Sequence, residues 1–210
     1  MGRTKAKPKL EKRATRYHHG NLRAALLRAA ETELGEKGIT GFSLRGVAKC
    51  AGVSHAAPAH HFGNVNGLLT ALAAVGFKRF LAKQQVRQRK AGNNGHARLV
   101  ATGLSYVDFA MANPELFRLM FASDRADHND AELARAALAA FDRLVQDVER
   151  LRGVDPRTHE AAMLDVMAVW AIAHGLADLM NAGLLRFLLG LPQAKREAAI
   201  ADIIGRLLAR

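Results

Sequence analysis

One stretch constrains this chain more than any other: Gly41-Phe42-Ser43-Leu44-Arg45-Gly46-Val47-Ala48-Lys49-Cys50-Ala51-Gly52-Val53-Ser54-His55-Ala56-Ala57-Pro58-Ala59-His60-His61-Phe62. It reads as a helix, a tight turn and a second, shorter helix. Ser43 precedes an apolar-periodic run and can cap its start by accepting from a free backbone N–H. Leu44, Val47, Ala48 and Ala51 recur at i, i+3, i+4 and i+7, one face of a helix. Gly52 follows at once, the residue that enters a left-handed turn without steric cost. Val53 then packs inward and Ser54 is expected to cap the second helix. Two helices joined this way form a helix-turn-helix, whose second helix enters the DNA major groove.

The second helix divides into two faces. Pro58 and Phe62, four apart, form an apolar face suited to sealing it against a core. His55, Ala56, Ala59 and His60 share the other face. Its alanines allow close approach, and its imidazoles donate or accept at base edges. The plain alternative is an Ala-rich helical hairpin with no partner.

Charge decides between them. Residues 1–90 carry 18 Lys/Arg against 4 Asp/Glu, and residues 91–210 carry 13 against 15. The net +12 therefore lies wholly on the segment holding the helix-turn-helix, the footprint of a nucleic-acid-binding unit joined to a unit with another task. The single cysteine, Cys50, rules out an intrachain disulfide and suits a reducing cytoplasm. No membrane association is expected, because Asp165, His174 and Asp178 interrupt the most apolar helix and Arg186 the Leu-rich tail. The basic N-terminus lacks a following apolar region and is not a secretory signal.

Taken in order, residues 1–20 are expected to form a disordered basic arm. Lys5, Lys7, Lys9, Lys12, Arg13 and Arg16 there face one acid, Glu11. It suits phosphate neutralisation, or simply solubility. Residues 21–90 form the DNA-binding unit. Asn21 is the expected cap of a first helix with Leu22, Ala25, Leu26, Ala29 and Ala30 inside, ended by Gly38. Gly63-Asn64 opens a fourth helix, buried through Leu68, Leu72, Val75 and Phe80 or Leu81, whose later part is basic and connects the two units. Ala91-Gly92-Asn93-Asn94-Gly95 is the clearest boundary. Residues 96–210 show only helical patterns, at about 96–112, 114–123, 130–151, 157–181 and 193–208. The expected fold class is all-α: an N-terminal three-helix helix-turn-helix domain and a C-terminal helical domain for ligand binding and dimerisation.

From Asn21 to about Phe80 the chain resembles the DNA-binding domain of the TetR family of bacterial regulators. The matching residues are Leu22-Arg23-Ala24-Ala25-Leu26, Gly38, Phe42-Ser43-Leu44-Arg45-Gly46-Val47-Ala48, Ala51-Gly52-Val53-Ser54, His61-Phe62 and Gly67-Leu68-Leu69. Further on, Trp170 with His174-Gly175 resembles the Trp-His-Gly signature of one class of TetR-family ligand-binding domains, as do Phe109-Ala110, Asn113-Pro114-Glu115-Leu116-Phe117 and Met120-Phe121. The resemblance implies a homodimeric DNA-binding regulator whose partners are a double-stranded operator and a small-molecule effector. It implies that the last two long helices form the dimer's four-helix bundle. An apolar stripe of Ile200, Ile203, Ile204, Leu207 and Leu208 agrees, since a terminal amphipathic helix needs a partner. Two positions depart from the family pattern: Ala59 stands where many members have Tyr, and Val65 where many have Lys.

The expected DNA contacts are Ser43, Arg45, Ser54, His55, Ala56, Ala59, His60, His61 and Asn64. The expected ligand contacts are Tyr106, Phe109, Phe117, Met120, Phe121, Met163, Met167, Trp170 and His174. Met163, Met167, Trp170 and His174 run at i, i+4, i+7 and i+11 and share a helix face, which suits a cavity wall or a plain core stripe. The competing readings are a ligand-independent DNA-binding dimer and a helical-bundle enzyme using His174 with Asp178. The chain has no paired-Cys zinc spacing, His-Glu-x-x-His, Gly-rich phosphate loop or nucleophile elbow, so no catalysis, cofactor or metal is expected. The expected function is a repressor released from a palindromic operator by a small apolar or amphipathic ligand.

Overall fold

The computed structural model describes residues 19–208, so the basic arm, but for its last two residues, lies outside the described residues. Among the described residues every regular element is a helix: α1 (His19–Gly41), α2 (Leu44–Ala51), α3 (Ala57–Phe62), α4 (Val65–Lys90), α5 (Gly95–Ala112), α6 (Pro114–Phe121), α7 (Ala131–Arg152), α8 (Glu160–Asn181), α9 (Arg186–Leu189) and α10 (Gln193–Leu208). The chain is all-α, with a helix-turn-helix at its N-terminal end and a helical C-terminal part.

Local chemistry sets the first four helices. α1 begins at His19, so Asn21 lies inside its first turn and is not its cap. Gly38, at φ 64°, breaks it where a glycine is needed. The Ser43 hydroxyl accepts from the Gly46 N–H at 3.1 Å and caps α2. Gly52 closes α2 in the left-handed region, while the Val53 N–H reaches back to the Ala48 carbonyl. Ser54 does not cap α3. Its carbonyl accepts from the Ala57 N–H at 3.0 Å, and this turn delays the helix so that Ala56 takes the cap position without a side-chain bond. Pro58 sits in the first turn, where no intrahelical N–H is lost.

The α3–α4 joint is tight. Gly63, at φ 76° and ψ −68°, is the centre of a γ-turn in which the Asn64 N–H donates to the Phe62 carbonyl at 2.9 Å. Asn64 then caps α4 by accepting from the Gly67 N–H at 2.9 Å.

A single apolar cluster runs from Leu26, Val47 and Leu68 through Phe77 and Phe80 to Tyr106, Leu119 and Ala177. The DNA-binding helices therefore share one core with α5 to α8. Two satellite clusters complete the bundle, one at Leu99, Val148 and Val166, the other at Leu104, Leu176 and Ile204. Ile200 and Ile204 of the terminal stripe are buried in that second satellite, inside their own subunit, and only Ile203 is left half-buried beside them. The side chains of Leu207 and Leu208 lie outside the described residues.

Both α4 and α8 are long and apolar enough to cross a membrane. Within this fold half of the apolar stretch of α4 is buried, but only 33% of that of α8. The difference lies on the outer face of α8, where Leu164 and Leu179 are exposed, continuing into Leu184 and Phe187 beyond it.

Candidate DNA interface and ligand cavity

Most of the side chains expected at DNA are exposed. Arg45, Ser54, His55, Ala56, Ala59, His60 and Asn64 are exposed, and His61 is half-buried. Pro58 is buried beneath them, and Phe62 is held from behind by the Arg23 guanidinium, 5.2 Å from its ring centroid. His60 and His61 stand edge to face, with ring centroids 5.5 Å apart. Ser43 is half-buried and already occupied, since its hydroxyl caps α2 and donates to Glu33 at 3.3 Å. Much of the charge on the later part of α4 is also engaged internally. Lys78 pairs with Glu132 at 2.6 Å, Arg79 with Glu31, and Arg87 with Asp108 and Glu197. Lys78 holds the Glu132 carboxyl below its ordinary pKa.

Beneath this unit lies a cavity of about 580 Å³ walled by α4 to α8. Phe77, Phe80 and Gln84 line it from α4 at i, i+3 and i+7, and Thr102, Gly103 and Tyr106 from α5. Met120 and Phe121 wall one side, while Phe141 and the exposed Leu138 and Trp170 edge another. The space exists because Ala137, Ala140 and Ala173 put small groups where a packed bundle has large ones.

Four of the nine expected ligand contacts line it: Tyr106, Met120, Phe121 and Trp170. Phe109 and Phe117 are buried behind that wall, their rings 5.4 Å from Phe80 and 5.6 Å from Tyr106. Met163 packs in the satellite around Leu99, and Met167 is exposed. The reason is rotational. The buried face of α8 is Ala162, Val166, Val169, Ala173, Ala177 and Met180, about 100° around the axis from the expected stripe. His174 lies beside the cavity with both ring nitrogens engaged. Nδ1 lies 2.7 Å from the Tyr106 hydroxyl and Nε2 lies 3.3 Å from Asp178. Burial pushes the Tyr106 phenol well above its ordinary pKa, with the Trp170 indole pulling the other way, so the phenol stays neutral in its hydrogen bond with His174 Nδ1.

Gln84, Phe77 and Phe80 went unassigned because α4 reads as a connector. A polar residue at i+7 from Phe77 on its buried face was the available signal. At the same end of the cavity a buried polar cluster joins three helices. Gln88 of α4 donates to Thr102 of α5 at 2.6 Å and to Asp147 of α7, while Thr102 donates to Asp147 at 2.8 Å. Burial raises the Asp147 pKa; the Thr102 hydroxyl and the guanidiniums of Arg98, Arg143 and Arg150 oppose this.

Residues 99–207 match the family model described as tetracyclin repressor-like, C-terminal domain. Residues 26–72 match that of the bacterial regulatory proteins of the tetR family. No curated protein sequence matches the chain. Among solved structures, a protein of unknown function from Rhodococcus sp. RHA1 is 35% identical over 93% of this chain and 100% of its own, with a TM-score of 0.77. A TetR-like transcriptional regulator from the same organism is 17% identical over 92% and 96% of the two chains, with a TM-score of 0.64. PfmR, a TetR-family transcriptional regulator from Thermus thermophilus, is 20% identical over 88% and 99%, with a TM-score of 0.63. The last two share the fold. Since one family model spans more than half of the sequence and the second falls on the helix-turn-helix, the chain belongs to the TetR family of transcriptional regulators.

Proposed function

We propose that the protein is a cytoplasmic, non-enzymatic repressor that binds a palindromic operator as a homodimer and leaves it when a small apolar or amphipathic ligand fills the cavity. The continuity of α4 carries this reading. That helix starts at the γ-turn behind α3 and lines the cavity through Phe77, Phe80 and Gln84 without a break. A ligand that moves α4 therefore moves α3. Effector and operator then weaken each other by one coupling energy, because each favours a different spacing of the two recognition helices. Trp170 is the only tryptophan and lines the cavity, so its emission reports occupancy. A screen of apolar metabolites should find compounds that change Trp170 emission and operator affinity over one concentration range. Compounds that saturate the emission change and never alter operator affinity would sink the switch.

Dimerisation through the outer face of α8 rests on two features. Leu164, Leu179, Leu184 and Phe187 are exposed apolar groups, Phe187 at 77%. A Cβ added at Gly175, within that helix, would meet nothing within 4 Å. Internal packing thus gives no reason for a glycine there, whereas a partner helix crossing closely does. Phe187→Glu should convert the dimer to monomers in sedimentation at micromolar concentration and weaken operator binding with it. A dimer unaffected by this change is held elsewhere.

At the DNA, the two α3 helices should read half-sites roughly 34–36 Å apart, or slightly more, in successive major grooves. His60→Ala should cost about 1–3 kcal/mol on the operator and little on random DNA. Gel-shift titrations on both duplexes distinguish base reading from phosphate contact, since equal losses on the two would assign His60 to the backbone.

A further inference from the structure

Among the polar groups that line the cavity, one is unpaired. Gln84 is 2% exposed, lines the cavity, and its Oε1 has no hydrogen-bond partner among the described residues. A buried amide oxygen left unpaired is costly, and native proteins seldom retain one without a use. Its neighbour Thr102 does not meet the need. That hydroxyl is taken by the Arg98 carbonyl, Asp147 and Gln88. Tyr106 is likewise taken by His174.

The rest of the lining restricts the ligand's charge. Among the described residues no Lys, Arg, Asp or Glu lines the cavity. The titratable groups facing it are Tyr106, held neutral by burial, and the exposed His128. An ionised carboxylate or ammonium would lose its hydration there and gain no counter-charge. Phe77, Phe80, Tyr106, Phe121, Phe141 and Trp170 instead offer rings to an apolar body. Phe77 and Gln84 are seven residues apart on α4, about 10 Å along the axis, so the cavity has room for a body up to about that length.

We infer that the effector is an uncharged amphiphile, an apolar or aromatic body ending in a hydroxyl or amide, and that this head pairs with the Gln84 side chain. The assignment rests on reading this cavity as the effector site. A hydroxyl or an amide fits Gln84 whichever way its amide is turned, because each both donates and accepts. A hydrocarbon of the same shape leaves Oε1 unpaired, and a site built for a hydrogen bond rejects such an analogue strongly.

The test uses four probes on one skeleton: naphthalene, 2-naphthol, 2-naphthoate and N,N,N-trimethyl-2-naphthylammonium. Each is titrated calorimetrically into the full chain and then into Gln84→Leu and Gln84→Met. The expected result is that 2-naphthol binds at least about 10-fold more tightly than the other three, the equivalent of about 1.4 kcal/mol. In both variants 2-naphthol should fall to the level of naphthalene, with naphthalene itself unchanged. The ligand-free variants should melt no lower than the parent, since an unpaired buried polar group is removed. Two different apolar side chains at this one position guard against a variant that misfolds. Charged probes binding as well as the naphthol, a naphthol margin that survives both variants, or no binding by any of the four would each overturn the assignment. Binding with the expected order but without release of operator DNA upholds the ligand class and overturns only the switch.

Discussion

Gly67→Ala should abolish specific operator binding more completely than any exposed substitution on the recognition surface. A Cβ built at Gly67 falls 2.1 Å from the Phe62 carbonyl oxygen, a backbone atom that no rotamer change can move. That oxygen is held by the γ-turn at Gly63, where it accepts from the Asn64 N–H. The methyl group must push α3 away from the start of α4, break the turn, or both. Overpacking of this kind costs about 1–3 kcal/mol. In a chain of this size that is about 2–4 °C of melting temperature per kcal/mol. The fold survives while the recognition helix is re-aimed. Operator affinity should drop at least about 100-fold, near 2.7 kcal/mol, with random-DNA binding and dimer formation largely kept. Calorimetric melting and gel shifts on the same preparation separate the two effects. A variant that melts lower yet binds operator normally would show that the α3–α4 angle is not what the site needs.

That joint also shows where a sequence is readable. Ser43, Gly52 and Asn64 act within three or four residues of themselves, so capping and turn chemistry can be read directly from the chain. The same holds for α5, α8 and α10, whose periodic stretches end within a few residues of the observed helices. Ser54 misleads because its carbonyl, not its side chain, is what the turn uses. α9 has four residues and no period to detect. The cavity was half readable. Tyr106, Met120, Phe121 and Trp170 line it, but choosing the inner face of α8 by its largest residues selects the flank, because the inner face is kept small to leave space. Gln84 and the Tyr106–His174 bond depend on helices brought together by the fold, the latter across 68 positions, and no local pattern encodes them.

Asp147→Ala should be the most destabilising single substitution, at about 3–5 kcal/mol. Asp147 is fully buried, accepts from Gln88 and Thr102, and lies 3.9 Å from the guanidiniums of Arg98 and Arg150. Burial makes its charge unfavourable, which is why its pKa is raised. Yet truncation leaves the Gln88 amide only the Thr102 hydroxyl as acceptor and the largely buried Arg98 without its counter-charge, and stranded partners cost more than the pair contributes. The two statements predict different experiments. Because the folded pKa lies above the unfolded one, the contribution of Asp147 is fullest below the unfolded value, near 3.8, and is lost as pH rises through the folded value. Stability of the parent should therefore fall across a window that opens just above pH 3.8, in the part of its profile due to this group. Asp147→Asn keeps an acceptor for Gln88 and Thr102 and cannot ionise. It should remove that slope and melt well above the Ala variant, which should lose roughly 6–20 °C. An Ala variant melting within about 2 °C of the parent, less than 1 kcal/mol, would mean that α4, α5 and α7 are joined by apolar contacts alone. The buried cluster at the end of the cavity would then be free to rearrange when a ligand reaches Gln84.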